Sequence, residues 1–315
     1  MKKYRTVFLG TPEFSVPILR RLAASTEVVL VVSQPDRRVG RGCKLCKPPV
    51  KLAAEALGID VIQPAVVKGK RFAAKIAALA PDFIVTAAFG RILGPSLLKV
   101  PTRKALNVHA SLLPKYRGAA PANWAILNGD VETGICIMEM VPELDAGPVF
   151  LRRRTPIEPT ETAGELLARL STLGAETLAE CLSRFDELRP ESQEHSKASY
   201  ARMLRKDDGL INWSLSAETV VNHIRGMSPW PSAFSCIEGA PYKIHHAQQL
   251  DIDIPTDVET APGTIIAASK HGVDVVCGRG VLRITEIQAP GRKRMPIQAF
   301  FVGTPLASGT RLCRR

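Results

Sequence analysis

Asn107, His109 and Asp145 are polar groups set inside or just beyond apolar segments of one stretch, NVHASLLPKYRGAAPANWAILNGDVETGICIMEMVPELD. An Asn amide can donate to a developing oxyanion, a His can move a proton near neutral pH, and an Asp can set the imidazole's tautomer. That set suits acyl transfer to an amine without a covalent enzyme intermediate. The spacing alone also admits a core Asn and His satisfied by backbone, with Asp145 capping a turn, because an N-x-H pair is common.

The elements that must position these groups are readable in the hydrophobic pattern. Residues 105–109 form the end of a buried strand, and side chains alternate along a strand, so Asn107 and His109 point to the same side. Ser111-Leu112-Leu113-Pro114 turns the chain away at the carboxyl end, where open α/β sheets bind ligands. Upstream, strands are expected at 5–10, 28–33 and 82–86, a short one at 60–62, and helices at 13–24, 50–57 and 71–79. Downstream come a helix at 121–127, strands at 133–140 and from 147, and a long amphipathic helix from 160 to about 184. Gly10-Thr11-Pro12-Glu13-Phe14-Ser15 follows the first strand but lacks the G-x-G-x-x-G fingerprint, which weakens a dinucleotide reading.

The composition shifts to a polar run between Asp186 and Asp207, which reads as a linker. Beyond it a helix at 217–226, N-capped by Ser216, precedes short glycine-punctuated strands at 233–237, 242–248, 263–268, 272–277 and 280–288. The expected fold class is therefore α/β: a Rossmann-like, mostly parallel sheet over residues 1–188, a linker at 189–206, and an OB-like β-barrel over 207–315. Such barrels are common oligonucleotide platforms.

At 315 residues the chain can bury a sizeable core, and no run of 18 apolar residues suggests a membrane span. The basic N-terminus leads straight into a strand with no apolar h-region, so a cytoplasmic protein is expected, with no membrane partner. The seven cysteines are scattered and form no disulfide framework. Cys43-x-x-Cys46 has no second ligand pair nearby, so incidental thiols are favoured over a metal site and no metal is expected.

The net charge of +12 is uneven: residues 1–100 carry 17 Lys/Arg against 6 Asp/Glu. This favours a polyanionic partner. Much of the excess lies in a loop, QPDRRVGRGCKLCKPP, where two glycines and three prolines argue against regular structure. Its five cations, Arg37, Arg38, Arg41, Lys44 and Lys47, are suited to phosphate contact, although a solvated surface loop has the same composition. Arg292 and Lys293, with Arg294, make a second basic loop for which phosphate contact and a solvated turn weigh equally.

The stretches NVHASLLPKYRGAAP and ETGICIMEMVPELDAGPV resemble the signature of the folate-dependent formyltransferases. The resemblance covers about residues 5–305. It implies that Asn107, His109 and Asp145 are the catalytic residues and that Ser111, Leu112, Leu113 and Pro114 contact folate. Phe89, Gly90, Ile92 and Leu93 fall in a segment that helps enclose the pterin in that family. The loop QPDR…GRG…KL resembles the one that wedges into the tRNA acceptor stem in the methionyl-tRNA formyltransferases, with Arg41 at the position of the acceptor-reading arginine. INWSLSAE…MSPWPSAF resembles the C-terminal domain of the same group, and Lys206 joins the expected tRNA contacts. The resemblance thus implies an enzyme that uses 10-formyltetrahydrofolate as donor and the initiator Met-tRNA as acceptor; a monomer is expected. The alternative is a small-molecule acceptor, or hydrolysis of the formyl-folate. Glu143 is a departure, because the family often has Gly two residues before the catalytic Asp, and the extra carboxylate would sit next to Asp145.

Overall fold

Apolar runs such as Thr-Val-Phe-Leu and Phe-Ile-Val-Thr-Ala are short and buried throughout, which suits strands covered on both faces. The computed structural model describes residues 4–39, 44–252, 261–302 and 306–312. Its first half contains β1 (Arg5–Gly10), α1 (Ser15–Ser25), β2 (Glu27–Val32), β3 (Arg37–Val39), β4 (Lys44–Cys46), α2 (Pro49–Ala56), β5 (Val61–Ile62), α3 (Lys70–Ala77), β6 (Phe83–Ala87) and α4 (Pro95–Leu98). There follow β7 (Lys104–His109), β8 (Arg117–Gly118), α5 (Pro121–Leu127), β9 (Glu132–Glu139), β10 (Val149–Pro156), α6 (Ala163–Ser183) and β11 (Tyr200–Ala201).

The chain divides into two units, the first comprising Met1–Pro121, Glu132–Pro156 and Leu167–Arg202. Its seven-stranded sheet has the order β10-β9-β7-β6-β1-β2-β5. The strands from β7 to β5 pair in parallel, and β9 and β10 add antiparallel pairings at one edge. The order runs outward from β1 in both directions, so the reversal lies between β1 and β6, and it is at the carboxyl ends of such strands that open α/β sheets bind ligands. Val7, Leu9, Leu30, Val32, Ile84 and Ala105 face one side of the sheet with Phe72, Ile76, Phe89, Leu93 and Leu97 packed over them. Each fully buried aliphatic side chain is worth about 1.5–3 kcal/mol over an exposed one. A one-residue slip of β7 would turn Ala105 away from that cluster and swap the faces of its neighbours, so the register that packs Ala105 there also fixes where Asn107 and His109 point.

Two segments depart from the expectations drawn above. The basic loop carries a short antiparallel hairpin, with Arg37 opposite Cys46 and Val39 opposite Lys44. Pro35, Pro48 and Pro49 flank the pairing instead of interrupting it. The stretch read as a linker is tied down at two points: Val149 and Glu191 form a bridge, and β11 pairs in parallel with β8. Its backbone groups find partners there, although the run has few apolar anchors in sequence.

The second unit comprises Ala122–Val131, Ile157–Leu166 and Met203–Arg315. It contains α7 (Ala217–Gly226), β12 (Ala233–Ile237), β13 (Ala240–Leu250), β14 (Ile265–Ser269), β15 (Gly272–Val276), β16 (Val281–Gln288), β17 (Met295–Pro296) and α8 (Ile297–Phe301). Its antiparallel sheet has the order β12-β13-β16-β15-β14, with β17 also paired to β16, an arrangement compatible with an OB-like barrel. Residues from the earlier segments hold α7: Asn123 donates to the Gly226 carbonyl at 2.9 Å, and Arg225 donates to that of Glu158 at 3.0 Å. Among the described residues no helix is long and apolar enough to cross a membrane.

Candidate active site

β7 delivers Asn107 and His109 at its carboxyl end, beside the end of β6. The Thr86 hydroxyl donates to Asn107 Oδ1 at 2.7 Å. With the amide oxygen so engaged, the Asn107 NH2 group is the end left to donate. His109 is buried, and its Nε2 lies 2.9 Å from the Tyr116 carbonyl. A carbonyl only accepts, so Nε2 carries a proton and the other ring nitrogen, Nδ1, is the one left with a lone pair. Nδ1 faces Asp145 Oδ2 at 3.8 Å, so a protonated His109 forms an ion pair there.

Asp145 sits in a return loop between β9 and β10 and has φ +47°, a left-handed backbone that side-chain-bearing residues seldom adopt. Ala88 and Tyr116, at φ 43° and 61°, share this conformation in the segments after β6 and β7. Such backbone collects at sites where surrounding structure over-determines it. Here the supports are visible. Gly118 N–H donates to Asp145 Oδ2 at 2.8 Å, and Gln193 Nε2 donates to the Asp145 and Gly147 carbonyls at 2.8 and 2.7 Å. A Cβ on Gly147 would lie 2.0 Å from the Glu139 carbonyl oxygen, so only glycine lets the loop fold back so closely. Arg117 is 1% exposed and donates from Nε and Nη2 to Gln193 Oε1 at 3.1 and 2.8 Å. Glu143 approaches Arg117 Nη1 at 3.6 Å, so its carboxylate is directed to a cation.

The other sequence candidates separate by exposure. In the loop after β7, Ser111 is buried and its hydroxyl donates to the Lys115 carbonyl at 2.6 Å, while Leu113 packs with Cys136, Met138 and Val149. These two shape the loop, and Leu112 and Pro114 are partly exposed. Phe89 and Leu93 lie in the core cluster, whereas Gly90 and Ile92 are exposed. Arg37, Arg38, Lys44 and Lys47 are exposed; Arg37 donates to Gln34, and Lys47 pairs with Glu55 at 2.8 Å. Arg41 and Cys43 lie outside the described residues. In the second unit Lys206, Arg292 and Lys293 are exposed, while Arg294 is paired with Glu286.

Sequence reasoning passed over Thr86, Arg117 and Gln193 as site residues. Arg117 offered one signal, a cation between a turn and a small apolar run. Gln193 offered none, since it stands in a uniformly polar segment 48 positions from Asp145. Burial pushes the Cys136 thiol beside β7 up to about 11, which keeps it protonated and unreactive near neutral pH. Among the described residues no group of three or more His, Cys, Asp or Glu side chains could hold a metal ion.

The formyl transferase family model matches residues 4–182, and the model of the formyl transferase C-terminal domain matches residues 203–305. The chain belongs to the formyl transferase family. The methionyl-tRNA formyltransferase of Trichlorobacter lovleyi is 48% identical over 99% of this chain and 98% of its own length. That of Geobacter metallireducens is 46% identical over 97% of each. Among solved structures, the sugar 3N-formyl transferase WlaRD matches with a TM-score of 0.65 and 16% identity, over 93% of this chain and 100% of its own. HypX from Aquifex aeolicus, in complex with tetrahydrofolic acid, gives a TM-score of 0.62 and 17% identity, over 100% of this chain and 51% of its own. These two likenesses concern the fold. As a member of the family, the protein is a formyl-transferring enzyme.

Proposed function

We propose that this formyl transferase moves the formyl group of 10-formyltetrahydrofolate to the α-amino group of methionine esterified to initiator tRNA. The observation that carries this reading is near-full-length identity to relatives named for that activity, through the C-terminal domain as well as the catalytic one. The tetrahydrofolic acid held by HypX supports folate as the donor class. The exposed cations Arg37, Arg38, Lys44, Lys47, Lys206, Arg292 and Lys293, with Arg41, would meet phosphates of the acceptor.

The neutral amine attacks the formyl carbon, forming the new C–N bond as the carbonyl pair moves to oxygen. The Asn107 NH2 group donates to that oxyanion, a contribution of about 10²–10³-fold for one such donor. His109 has Nε2 committed to Tyr116, so its part is to hold a proton at Nδ1 against Asp145. Nδ1 takes up the proton released by the amine, Asp145 stabilises the imidazolium so formed, and Nδ1 returns the proton to the departing folate nitrogen as the oxyanion pair re-forms the carbonyl and the old C–N bond breaks. Proton transfer by such a group contributes about 10²–10⁴-fold. Ser111, Leu112, Leu113 and Pro114, with residues 89–93, would form the folate side of the pocket.

The test is formyl transfer from 10-formyltetrahydrofolate to Met-tRNA of initiator and elongator types, with wild type, His109→Ala and Arg41→Ala. Initiator-selective transfer, abolished by His109→Ala and weakened by Arg41→Ala, is the expected result. A protein that binds folate yet formylates neither tRNA would point instead to a small-molecule acceptor. Wild-type-like turnover in His109→Ala would remove the proposed mechanism.

A further inference from the structure

We infer that Gln193 is a positioning residue for formyl transfer, fixing the backbone that carries Asp145. This rests on the reading above that Asp145 serves the reaction. Gln193 is 4% exposed, and its amide is used at both ends. Oε1 accepts two hydrogen bonds from Arg117, while Nε2 donates to the carbonyls of Asp145 and Gly147. A guanidinium only donates and a carbonyl only accepts, so the amide has a single satisfactory orientation. The NH2 end must face the Asp145 loop.

The consequence is a closed clamp. Gly118, next to Arg117 in the chain, donates to the Asp145 carboxylate, so Gln193 grips both the segment that holds the carboxylate and the backbone from which it projects. β8 and β11 brace the same place: Ala119 N–H donates to the Ala201 carbonyl at 2.8 Å, and a Cβ on Gly118, at φ +116°, would lie 2.7 Å from that oxygen. A left-handed Asp145 needs such outside support, since its own backbone preference runs against it. The competing role for Gln193 is to satisfy the buried charge of Arg117, whose other neighbours are Glu143 at 3.6 Å and His195 Nδ1 at 3.3 Å. The two roles are separable.

Gln193→Glu keeps the shape and the acceptor facing Arg117 but turns the donor end into an oxygen opposed to two carbonyls. If Gln193 positions Asp145, kcat falls about 10–100-fold while KM for donor and acceptor moves less than about threefold. Without substrate, exchange of the Gly118 amide proton quickens at least about tenfold while amides of β1 and β6 keep their protection. Arg117→Met with Gln193→Met removes the charge together with its partner and still lacks the donors, so kcat stays low. Wild-type exchange at Gly118 in a folded Gln193→Glu protein overturns the inference. So does wild-type turnover in the double variant, which would assign Gln193 to charge neutralisation, and this variant decides the matter should Gln193→Glu not fold. Absence of formyl transfer by the wild type would remove the functional reading and leave the Gly118 exchange measurement to test the clamp.

Discussion

At the scale of single residues, charge and conformation can be pulled apart at Asp145. Asn accepts the left-handed backbone about as readily as Asp, and its amide oxygen can still take the Gly118 N–H. Asp145→Asn should therefore melt within a few degrees of wild type, while kcat drops about 10²–10⁴-fold because the charge facing His109 Nδ1 is gone. Calorimetry beside a turnover assay measures both; a large loss of melting temperature would mean that the carboxylate is chiefly structural. Asn107 and His109 stood out in the sequence as candidates because polar residues in a buried strand are costly unless used or satisfied. Gln193 did not, because its significance comes from a carbonyl pair and a guanidinium brought to it by tertiary structure, and no local pattern encodes that meeting. Glu143 was legible as a departure, but its approach to Arg117 was not.

Among the elements, α7 combines a cap with two competing effects at its other end. Ser216 Oγ accepts from Thr219 N–H at 3.2 Å, so Ser216→Ala should destabilise the second unit by about 1 kcal/mol in chemical denaturation. His223 lies in the last turn, where the helix dipole favours a charged imidazole. Burial wins: the His223 pKa is pushed below its ordinary 6.5, against opposing contributions from a Gly209 backbone hydrogen bond and the nearby Asp208. His245 is likewise lowered by burial, offset in part by its Gln288 hydrogen bond. For both, the unfolded chain takes up protons first as pH falls through 6.5, so stability drops below that pH. The hydrogen bonds of Glu165 with Thr162 and of Glu286 with Arg294 hold these carboxylates below 4.5, adding a second loss of stability below that pH. Denaturation from pH 4 to 8 should show both falls, and replacing His223 and His245 with Gln should flatten the upper one. The helices and strands of the sheet were legible from their periodicity to within a few residues. The hairpin of β3 and β4 was not, because glycine and proline content says where chain can bend without saying which residues between them pair.

For the molecule as a whole, the two units interleave along the chain, since 122–131 and 157–166 belong with residues after 203. A fragment beginning at Met203 would lose the Asn123 contact to Gly226, the Arg225 contacts to Glu158 and Glu161, and the Gly164 bond to Ser228. It should be less stable than the same unit in the full chain by several kcal/mol, given about 1 kcal/mol per lost hydrogen bond and more for a half-buried cation left unpaired. Comparing denaturant midpoints of the fragment and the intact protein checks this; equal stability would mean that those segments only decorate the unit. The clamp on Asp145 has a similar long reach, and it bears on birth order. Asn107 and His109 are synthesised first, Asp145 follows about 36 residues after His109, and Gln193 comes 48 residues after Asp145, with β11 just beyond. A growing chain therefore carries all three candidate residues for an interval in which the Gln193 bonds to the Asp145 loop and the β11 pairing with β8 are absent, and the proposed clamp closes when the stretch around residues 193–201 docks. On the proposed reading of the site, activity is expected to wait for the last polar segment of the first unit to be synthesised, a delay between making the candidate catalytic groups and arming them.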